Sequence, residues 1–263
     1  MIAGYQLRDS FADLQKLSVK NDPQGSGDKV DAFPLLGGIG AFVTEEVTSD
    51  LSLKLSIMQE ISEREFGLPV KWHLTPTHSG IDELFPLLNQ GCDLKLYTTY
   101  KYAGLFSSYQ QIDRWMQDIG SLKSRILVHC EDDDIIQKAS QEHPFQHPFD
   151  HTKRRPEIAE IMAVDKVLNL AIKNQHPVHI VHVSSPHSAL LIKQAKEQFD
   201  FITCETAPHY LLHNEDWLKK EGAHRYICSP PFRSEMSRGM LVELLQDGIF
   251  DILASDHCAF NDI

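Results

Sequence analysis

The stretch PVHIVHVSS, residues 177–185, shows the pattern from which the fold can be predicted. Apolar residues occupy both faces of a short β-rich run, and polar residues follow where the run ends. Six further runs of this kind occur at 37–45, 69–76, 93–100, 125–132, 201–208 and 250–258. Strands that are apolar on both faces are typical of a parallel sheet covered by helices.

Segments with helical spacing separate these runs, such as the one in which Ile158, Ile161 and Val164 follow Pro156. An eighth β-rich run, 225–232, contains two prolines that remove sheet donors, which indicates a loop or an edge strand. Alternating strands and helices predict an α/β fold, a (β/α)8 TIM-type barrel. We assign 36–263 to this barrel domain and 1–35, which lacks clear periodicity, to an atypical N-terminal segment.

The composition excludes several classes of protein. The 263 residues carry a net charge of −12, and a nucleic acid or an anionic membrane would require a basic surface. Neither a spanning apolar run nor a secretory signal is evident, so we expect a cytoplasmic protein without a membrane partner. The five cysteines are far apart with no CxxC pair, which predicts free thiols.

Polar residues stand in or at the ends of four predicted strands. They are Lys95, His129, His182 and Asp256. Because the carboxyl ends of barrel strands converge on one mouth, we expect these side chains to meet there. Imidazole and carboxylate groups are suitable zinc ligands, so the four residues are candidate metal ligands. His179 is three residues from His182 and is interpreted as structural.

Each candidate also has an ordinary interpretation. A single strand-end histidine is more often a hydrogen-bonded structural residue, a strand lysine usually extends to solvent, and a strand-end aspartate commonly caps the next helix. Four such residues on four strands favour the metal site. Lys95, inside an apolar strand, must lose its proton, find a partner or be modified, for example to a carbamate that could bridge two metal ions.

Several segments resemble the cyclic amidohydrolases, the family of dihydropyrimidinase (hydantoinase), dihydroorotase and allantoinase. LKLYTTYK resembles the segment with the carboxylated lysine and a substrate-contacting tyrosine, here Lys95 and Tyr100. LVHCED and VHIVHVSS resemble the segments that each supply a metal-binding histidine, here His129 and His182. RRPEIAE, CETAPHYL, CSPPFRS and SDHCAFN resemble further family segments in the same order. The SPP and SDHCAFN segments favour the dihydropyrimidinase-like members.

The resemblance implies a fold, a cofactor and a mechanism. Zinc, one ion or two, would supply a hydroxide that attacks the carbonyl of a cyclic amide. Tyr100 would stabilise the oxyanion, Ser229 would contact the ring amide through its backbone, and Asp256 would carry the proton to the leaving nitrogen. The partner would be a small cyclic amide, and we expect a homo-oligomer.

The sequence departs from the family at both ends. No histidine precedes His73, so the His-x-His pair of the family's first strand is absent, and the family continues well past SDHC. We therefore expect an incomplete barrel with an atypical first strand and no last helix. Two hypotheses follow: a metal-dependent hydrolase of dihydropyrimidine-like, hydantoin-like, dihydroorotate or allantoin rings, or a non-catalytic scaffold or assembly subunit without a complete metal centre.

Overall fold

A computed structural model describes residues 39–43, 53, 55–57, 60, 64, 70–76, 81–120 and 124–256. The predicted N-terminal segment 1–35 and the residues that follow Asp256 lie outside this range. No helix in the described part of the chain is long and apolar enough to cross a membrane.

Seven parallel strands form one sheet whose spatial order is the order of the chain. The strands are β1 (Ile39–Val43), β2 (Val70–Leu74), β3 (Asp93–Tyr97), β4 (Ile126–His129), β5 (Val178–Ile180), β6 (Ile202–Thr206) and β7 (Ile252–Leu253). Each coincides with one of the predicted runs. Parallel strands in chain order, each joined to the next through helices, form the α/β barrel arrangement that the sequence predicts.

Helices connect the strands on the outside of the sheet. They are α1 (Phe85–Asn89), α2 (Tyr109–Asp118), α3 (Asp133–Glu142), α4 (Asp150–Arg154), α5 (Glu157–Asn174), α6 (Pro186–Lys196), α7 (Pro208–Leu212) and α8 (Glu235–Gln246). Short 3-10 helices occur at Asp82–Leu84, Lys101–Ala103, Glu215–Lys219 and Ala223–Tyr226. Apolar residues of the strands and of the inner helix faces form the core, in which Leu94, Leu96, Ile126, Ile180 and Ile202 are among the fully buried side chains.

Local sequence sets where the longest helix begins. Pro156 has an extended backbone at the N-cap of α5, and Glu157 and Glu160 lie in the first turn. A carboxylate there interacts favourably with the positive end of the helix dipole. The helix ends at Gln175, whose φ of 50° places it in the left-handed region. The prediction of a helix after Pro156 is confirmed.

The doubtful eighth run contains no strand. Residues Ala223–Tyr226 form a 3-10 helix, and the chain then passes through a cis Ser229–Pro230 peptide bond. Of the two predicted alternatives, a loop or an edge strand, the structure has the loop. Within the described residues the sheet runs from β1 to β7, which form part of the predicted barrel.

Candidate active site

Lys95 lies in the middle of β3 and is buried among apolar residues. Burial lowers the pKa of its ammonium group to about 8, although the charges of Glu205 and Asp256 act in the opposite direction. About a tenth of the molecules would therefore carry the neutral amine at pH 7. The ammonium group thus has acidic neighbours, and part of the population carries the neutral, nucleophilic amine near neutral pH.

Two imidazoles face each other at the carboxyl ends of neighbouring segments. His129 is the last residue of β4, His182 follows β5, and their ring centroids are 4.6 Å apart. Burial lowers the pKa of both rings well below 6.5, with further lowering of the His129 pKa by Arg155 and of the His182 pKa by His129. Both rings are neutral at pH 7, which is the state that binds a metal.

A buried carboxylate fixes the orientation of His129. Glu131 Oε2 lies 2.8 Å from His129 Nε2, and it also accepts from Arg155 Nε at 3.1 Å. Arg155 Nη2 completes an ion pair with the same oxygen at 2.9 Å. Since the carboxylate can only accept while it is ionised, His129 carries its proton on Nε2, and Nδ1 is left as the nitrogen with a free lone pair.

Tyr100 lies against His129 and Arg155. Its ring centroid is 5.1 Å from that of His129, and the Arg155 guanidinium lies 4.9 Å from the Tyr100 ring. Burial raises the pKa of Tyr100 to about 12, while the charge of Arg155 and a hydrogen bond with Ser229 lower it. The phenol therefore keeps its proton at neutral pH and can donate it in a hydrogen bond.

Ser229 is placed beside Tyr100 by the loop that follows the 3-10 helix Ala223–Tyr226. Its hydroxyl oxygen is 3.2 Å from Nε2 of His151, a residue of α4. The same imidazole nitrogen is 2.9 Å from the carbonyl oxygen of Cys228. Helix α4 and the loop are thus connected at the edge of the candidate site.

Asp256 is the last described residue, three positions beyond β7. Much of the residue is exposed, yet desolvation of its carboxyl group is the largest influence on its acidity. Desolvation raises the pKa of Asp256 to about 6, with Lys95 lowering it and Glu205 raising it. A carboxylate with this pKa is suited to accept and return a proton near neutrality.

Backbone strain is concentrated at these residues. Four non-glycine residues in the described chain have positive φ, and three of them are candidate site residues: Tyr100 at 69°, His182 at 38° and Asp256 at 46°. The fourth is Gln175, at the end of α5. Such conformations cost about 1 to 3 kcal/mol each and cluster where function requires a particular geometry.

His179 differs from His182 in the hydrogen bonding of its ring nitrogens. Its Nδ1 lies 2.8 Å from Thr203 Oγ1 and its Nε2 lies 3.2 Å from Glu205 Oε2, so both ring nitrogens are paired within the sheet. These contacts agree with its interpretation as a structural histidine. His179 also holds Glu205, the carboxylate whose charge acts on Lys95.

The sequence analysis named candidate site residues but gave no role to several charged residues around them; the candidates are Lys95, Tyr100, His129, His182, Ser229 and Asp256. Arg155 and Glu160 belong to the RRPEIAE segment and Arg233 to CSPPFRS. Glu160 accepts from Arg233 Nη2 at 3.0 Å and from the Ser184 hydroxyl. Both pairs of opposite charges are present in the sequence, but partners that are 24 positions apart (Glu131 and Arg155) and 73 positions apart (Glu160 and Arg233) cannot be matched from spacing alone.

The residues fit a divalent metal in part. His182 Nδ1 is buried without a hydrogen-bond partner, and the two imidazoles are neutral and close together. However, no group of three or more His, Cys, Asp or Glu in the described part of the chain is arranged to hold a metal ion.

Known proteins resemble the chain in sequence over part of their length. The allantoinase of Bacillus velezensis is 36% identical over 146 residues, which are 54% of this chain and 32% of that protein. The allantoinase of Salmonella gallinarum is 29% identical over 163 residues, 59% of this chain and 36% of that protein. The chain spans about a third of the length of these curated relatives. No family model matches it.

Solved structures resemble the chain in fold. The dihydropyrimidinase of Brevibacillus agri matches 85% of this chain and 50% of its own with a TM-score of 0.74 and 24% identity. The L-hydantoinase of Arthrobacter aurescens matches 83% and 50% with a TM-score of 0.73 and 23% identity. The dihydroorotase of Campylobacter jejuni matches 80% and 58% with a TM-score of 0.56 and 15% identity. At these identities the likeness is one of fold, and it agrees with the parallel α/β barrel described above.

Proposed function

We propose that this chain is a member of the cyclic amidohydrolase family and that it hydrolyses a cyclic amide bond in a ring of the hydantoin type. The single observation that carries the proposal is the contact of Tyr100 with His129, whose imidazole packs edge to face against that of His182 at the carboxyl end of the sheet. The sequence relatives are named allantoinases, and allantoin contains a hydantoin ring. A five-membered cyclic ureide is therefore our first candidate substrate, and dihydropyrimidines and dihydroorotate are the alternatives.

Opening such a ring requires a nucleophile, a donor for the developing oxyanion and a proton for the leaving nitrogen. In our proposal Tyr100 donates to the carbonyl oxygen, which its raised pKa permits. Asp256 accepts the proton of the attacking water and transfers it to the leaving amide nitrogen. The Ser229 backbone contacts the ring amide and fixes its orientation.

Zinc is the cofactor that we propose, as one ion or two, with His129, His182, Asp256 and a carboxylated Lys95 as ligands. The neutral imidazoles and the unpaired His182 Nδ1 support this choice. When bound, zinc supplies a water of lowered pKa and polarises the substrate carbonyl. Glu131 and Arg155 then hold His129 in the tautomer that leaves Nδ1 free.

We further propose that the protein is a homo-oligomer in the cytoplasm and that it takes a small-molecule substrate and no nucleic acid. We also propose that its barrel domain extends over 36–263.

A second candidate is a non-catalytic scaffold or assembly subunit of the same fold. The observation that favours it is the lack, among the described residues, of a three-membered His, Cys, Asp or Glu group arranged for a metal. The two candidates make opposite predictions about metal content, because a scaffold does not require neutral, unpaired imidazoles.

The experiment measures zinc in the purified protein together with turnover of allantoin, hydantoin, dihydrouracil and dihydroorotate. We expect ring opening that is lost on chelation, restored by zinc and abolished by His182→Asn. His187→Asn is the matched control, since His187 is an exposed histidine of α6. Less than about a tenth of an equivalent of zinc, with no turnover of any of the four compounds, would support the scaffold instead.

A further inference from the structure

Asp133 is a buried carboxylate in the first turn of α3 that contacts the chain on both sides of Tyr100. Its Oδ1 accepts from the Thr99 hydroxyl at 3.1 Å and from the Lys101 backbone amide at 3.4 Å. Its own backbone amide donates to the Thr98 carbonyl at 3.2 Å. The residues that flank Tyr100 are therefore attached to a single residue of a different element.

The backbone of Tyr100 requires such attachments. Its φ of 69° and ψ of 39° place it in the left-handed region. A non-glycine residue is strained there and keeps this conformation only where the surrounding contacts determine it. The Tyr100 carbonyl accepts from the Ala103 amide at 3.0 Å, which shapes the turn itself but does not connect the turn to another element. Asp133 provides that connection.

The connection also sets where Tyr100 lies relative to His129. Helix α3 follows β4, and His129 is the last residue of that strand. Asp133 thus joins the Tyr100 segment to the part of the chain that carries the imidazole, and the two ring centroids are 5.1 Å apart. Because a hydrogen bond weakens steeply when its geometry is wrong, a displaced Tyr100 would be a poor donor to an oxygen in the site.

The neighbouring Asp134 differs from Asp133 in what it contacts. Both carboxylates lie in the first turn of α3, and both pair with the Lys101 ammonium group, at 2.7 Å from Asp134 and 3.3 Å from Asp133. The Asp134 side chain is 87% exposed, whereas that of Asp133 is 2% exposed. Of the two, Asp133 is the one that accepts from Thr99 and from the Lys101 backbone.

We propose that Asp133 is a positioning residue that holds Tyr100 in its left-handed conformation and so keeps the Tyr100 ring against His129. It acts through the hydrogen bonds of its Oδ1 to Thr99 and Lys101, which require an acceptor oxygen and not a negative charge. The inference rests on the proposed function only in stating that Tyr100 donates to a substrate oxygen.

The first test is independent of catalysis and compares crystal structures of three variants. In Asp133→Ala we expect Tyr100 to leave the left-handed region or its ring to move from His129 by more than about 1 Å, a displacement large enough to impair catalysis. Asp133→Asn keeps an acceptor oxygen and should retain the position of Tyr100. Asp134→Ala is the matched control and should retain it as well.

Thr99→Val provides a second route to the same hydrogen bond if Asp133→Ala does not fold. It removes the hydroxyl donor and leaves α3 unaltered, and Tyr100 should move in the same direction. An unchanged φ and ring position of Tyr100 in Asp133→Ala, or in Thr99→Val where only that variant folds, would overturn the proposal.

The second test separates positioning from general support of the fold. Asp133→Ala should lower kcat for ring opening by about tenfold with KM changed by less than about threefold, because the donor acts on the oxyanion. Asp133→Asn and Asp134→Ala should each keep kcat within about twofold of the unmodified protein. Equal losses in Asp133→Ala and Asp133→Asn would overturn the proposal, as would an effect confined to KM.

The failure of this inference can be told apart from the failure of the proposed function. If the unmodified protein opens none of the four rings, the proposed function fails. The position of Tyr100 in the variant structures still decides whether Asp133 holds it.

Discussion

His179 and His182 lie three residues apart on one stretch of chain, and both are almost fully buried, at 2% and 5% exposure. His179 sits in the middle of β5 with both ring nitrogens paired and with ordinary backbone geometry. His182 stands beyond the end of the same strand with Nδ1 unpaired and with a φ of 38°.

The difference shows what each part of the sheet requires. In the middle of the sheet a buried polar atom without a partner only costs free energy, so the structure pairs it. At the carboxyl end the structure keeps an unpaired nitrogen and a strained backbone, which together cost a few kcal/mol. A ligand that binds there would recover part of that cost.

The largest expected effect comes from replacing each of these two histidines in turn. His182→Asn should weaken zinc binding by more than about 100-fold, since a direct ligand contributes more than the outer groups whose loss costs about 10 to 100-fold. His179→Asn should leave zinc affinity within about threefold but lower the free energy of unfolding by about 1 to 3 kcal/mol, because Thr203 and Glu205 lose their partner. Competition with a chelating dye and urea unfolding measure the two quantities.

Comparable losses of zinc affinity in the two variants would show that the mid-strand and strand-end imidazoles do not differ in function.

Two buried ion pairs differ in the third residue that each of them contacts. Glu131 pairs with Arg155 and also contacts His129, whereas Glu160 pairs with Arg233 and contacts Ser184. Glu131→Gln and Glu160→Gln should each destabilise the fold by about 3 kcal/mol, because each leaves a buried guanidinium without its charge partner. Only Glu131→Gln should also lower zinc affinity, by about 10-fold, since it alone touches a proposed ligand.

Thermal unfolding and metal titration of both variants test this point. An equal effect on zinc affinity would mean that Glu131 supports the fold in general rather than the orientation of His129.

His209 in α7, like His182, has a buried ring nitrogen without a hydrogen-bond partner, and it allows a comparison of pH dependence. Burial and the nearby His213 lower the pKa of His209 to about 4, and its Nε2 has no hydrogen-bond partner. The folded-state pKa lies below the usual 6.5, so the neutral ring's contribution to stability is present above pH 6.5 and is lost as the pH falls toward 4. In His209→Phe, unfolding in this interval should take up about one proton fewer.

Urea midpoints measured at several pH values between 4 and 7.5 give the proton uptake. A slope unchanged by the substitution would mean that His209 titrates normally in the folded protein.

The smallest effect concerns backbone strain away from the site. Gln175 ends α5 with a φ of 50°, a conformation that glycine adopts at little cost. Gln175→Gly should therefore raise the free energy of unfolding by about 0.5 to 1 kcal/mol without changing zinc affinity. A stability decrease would show that the side chain, not the backbone, determines this helix end.

The strands could be predicted because the apolar pattern of each strand lies within one short stretch of sequence. All seven predicted runs contain a strand. Pro156 marked the start of a helix, and Pro230 and Pro231 marked a loop. Proline gives such signals because it restricts the backbone at its own position. Of the four strand-end candidates, His129 and His182 lie close together, as expected where parallel strands bring their carboxyl ends together, whereas Tyr100 was named only through the family resemblance.

The contacts of the charged residues and of His151 around the candidate site could not be predicted in the same way. Arg155 meets Glu131, and Arg233 meets Glu160, across separations that spacing rules do not cover. The contact of His151 with Ser229 depends on the path of the 227–231 loop, which includes a cis peptide bond that the sequence does not determine.

Crystals grown with zinc and measured at the zinc absorption edge test the central claim most directly. The account predicts an anomalous peak within about 2.0 to 2.2 Å of a ring nitrogen of both His129 and His182, with Lys95 beside it. A map with no peak between the two imidazoles, from protein that is otherwise folded as described, would contradict it.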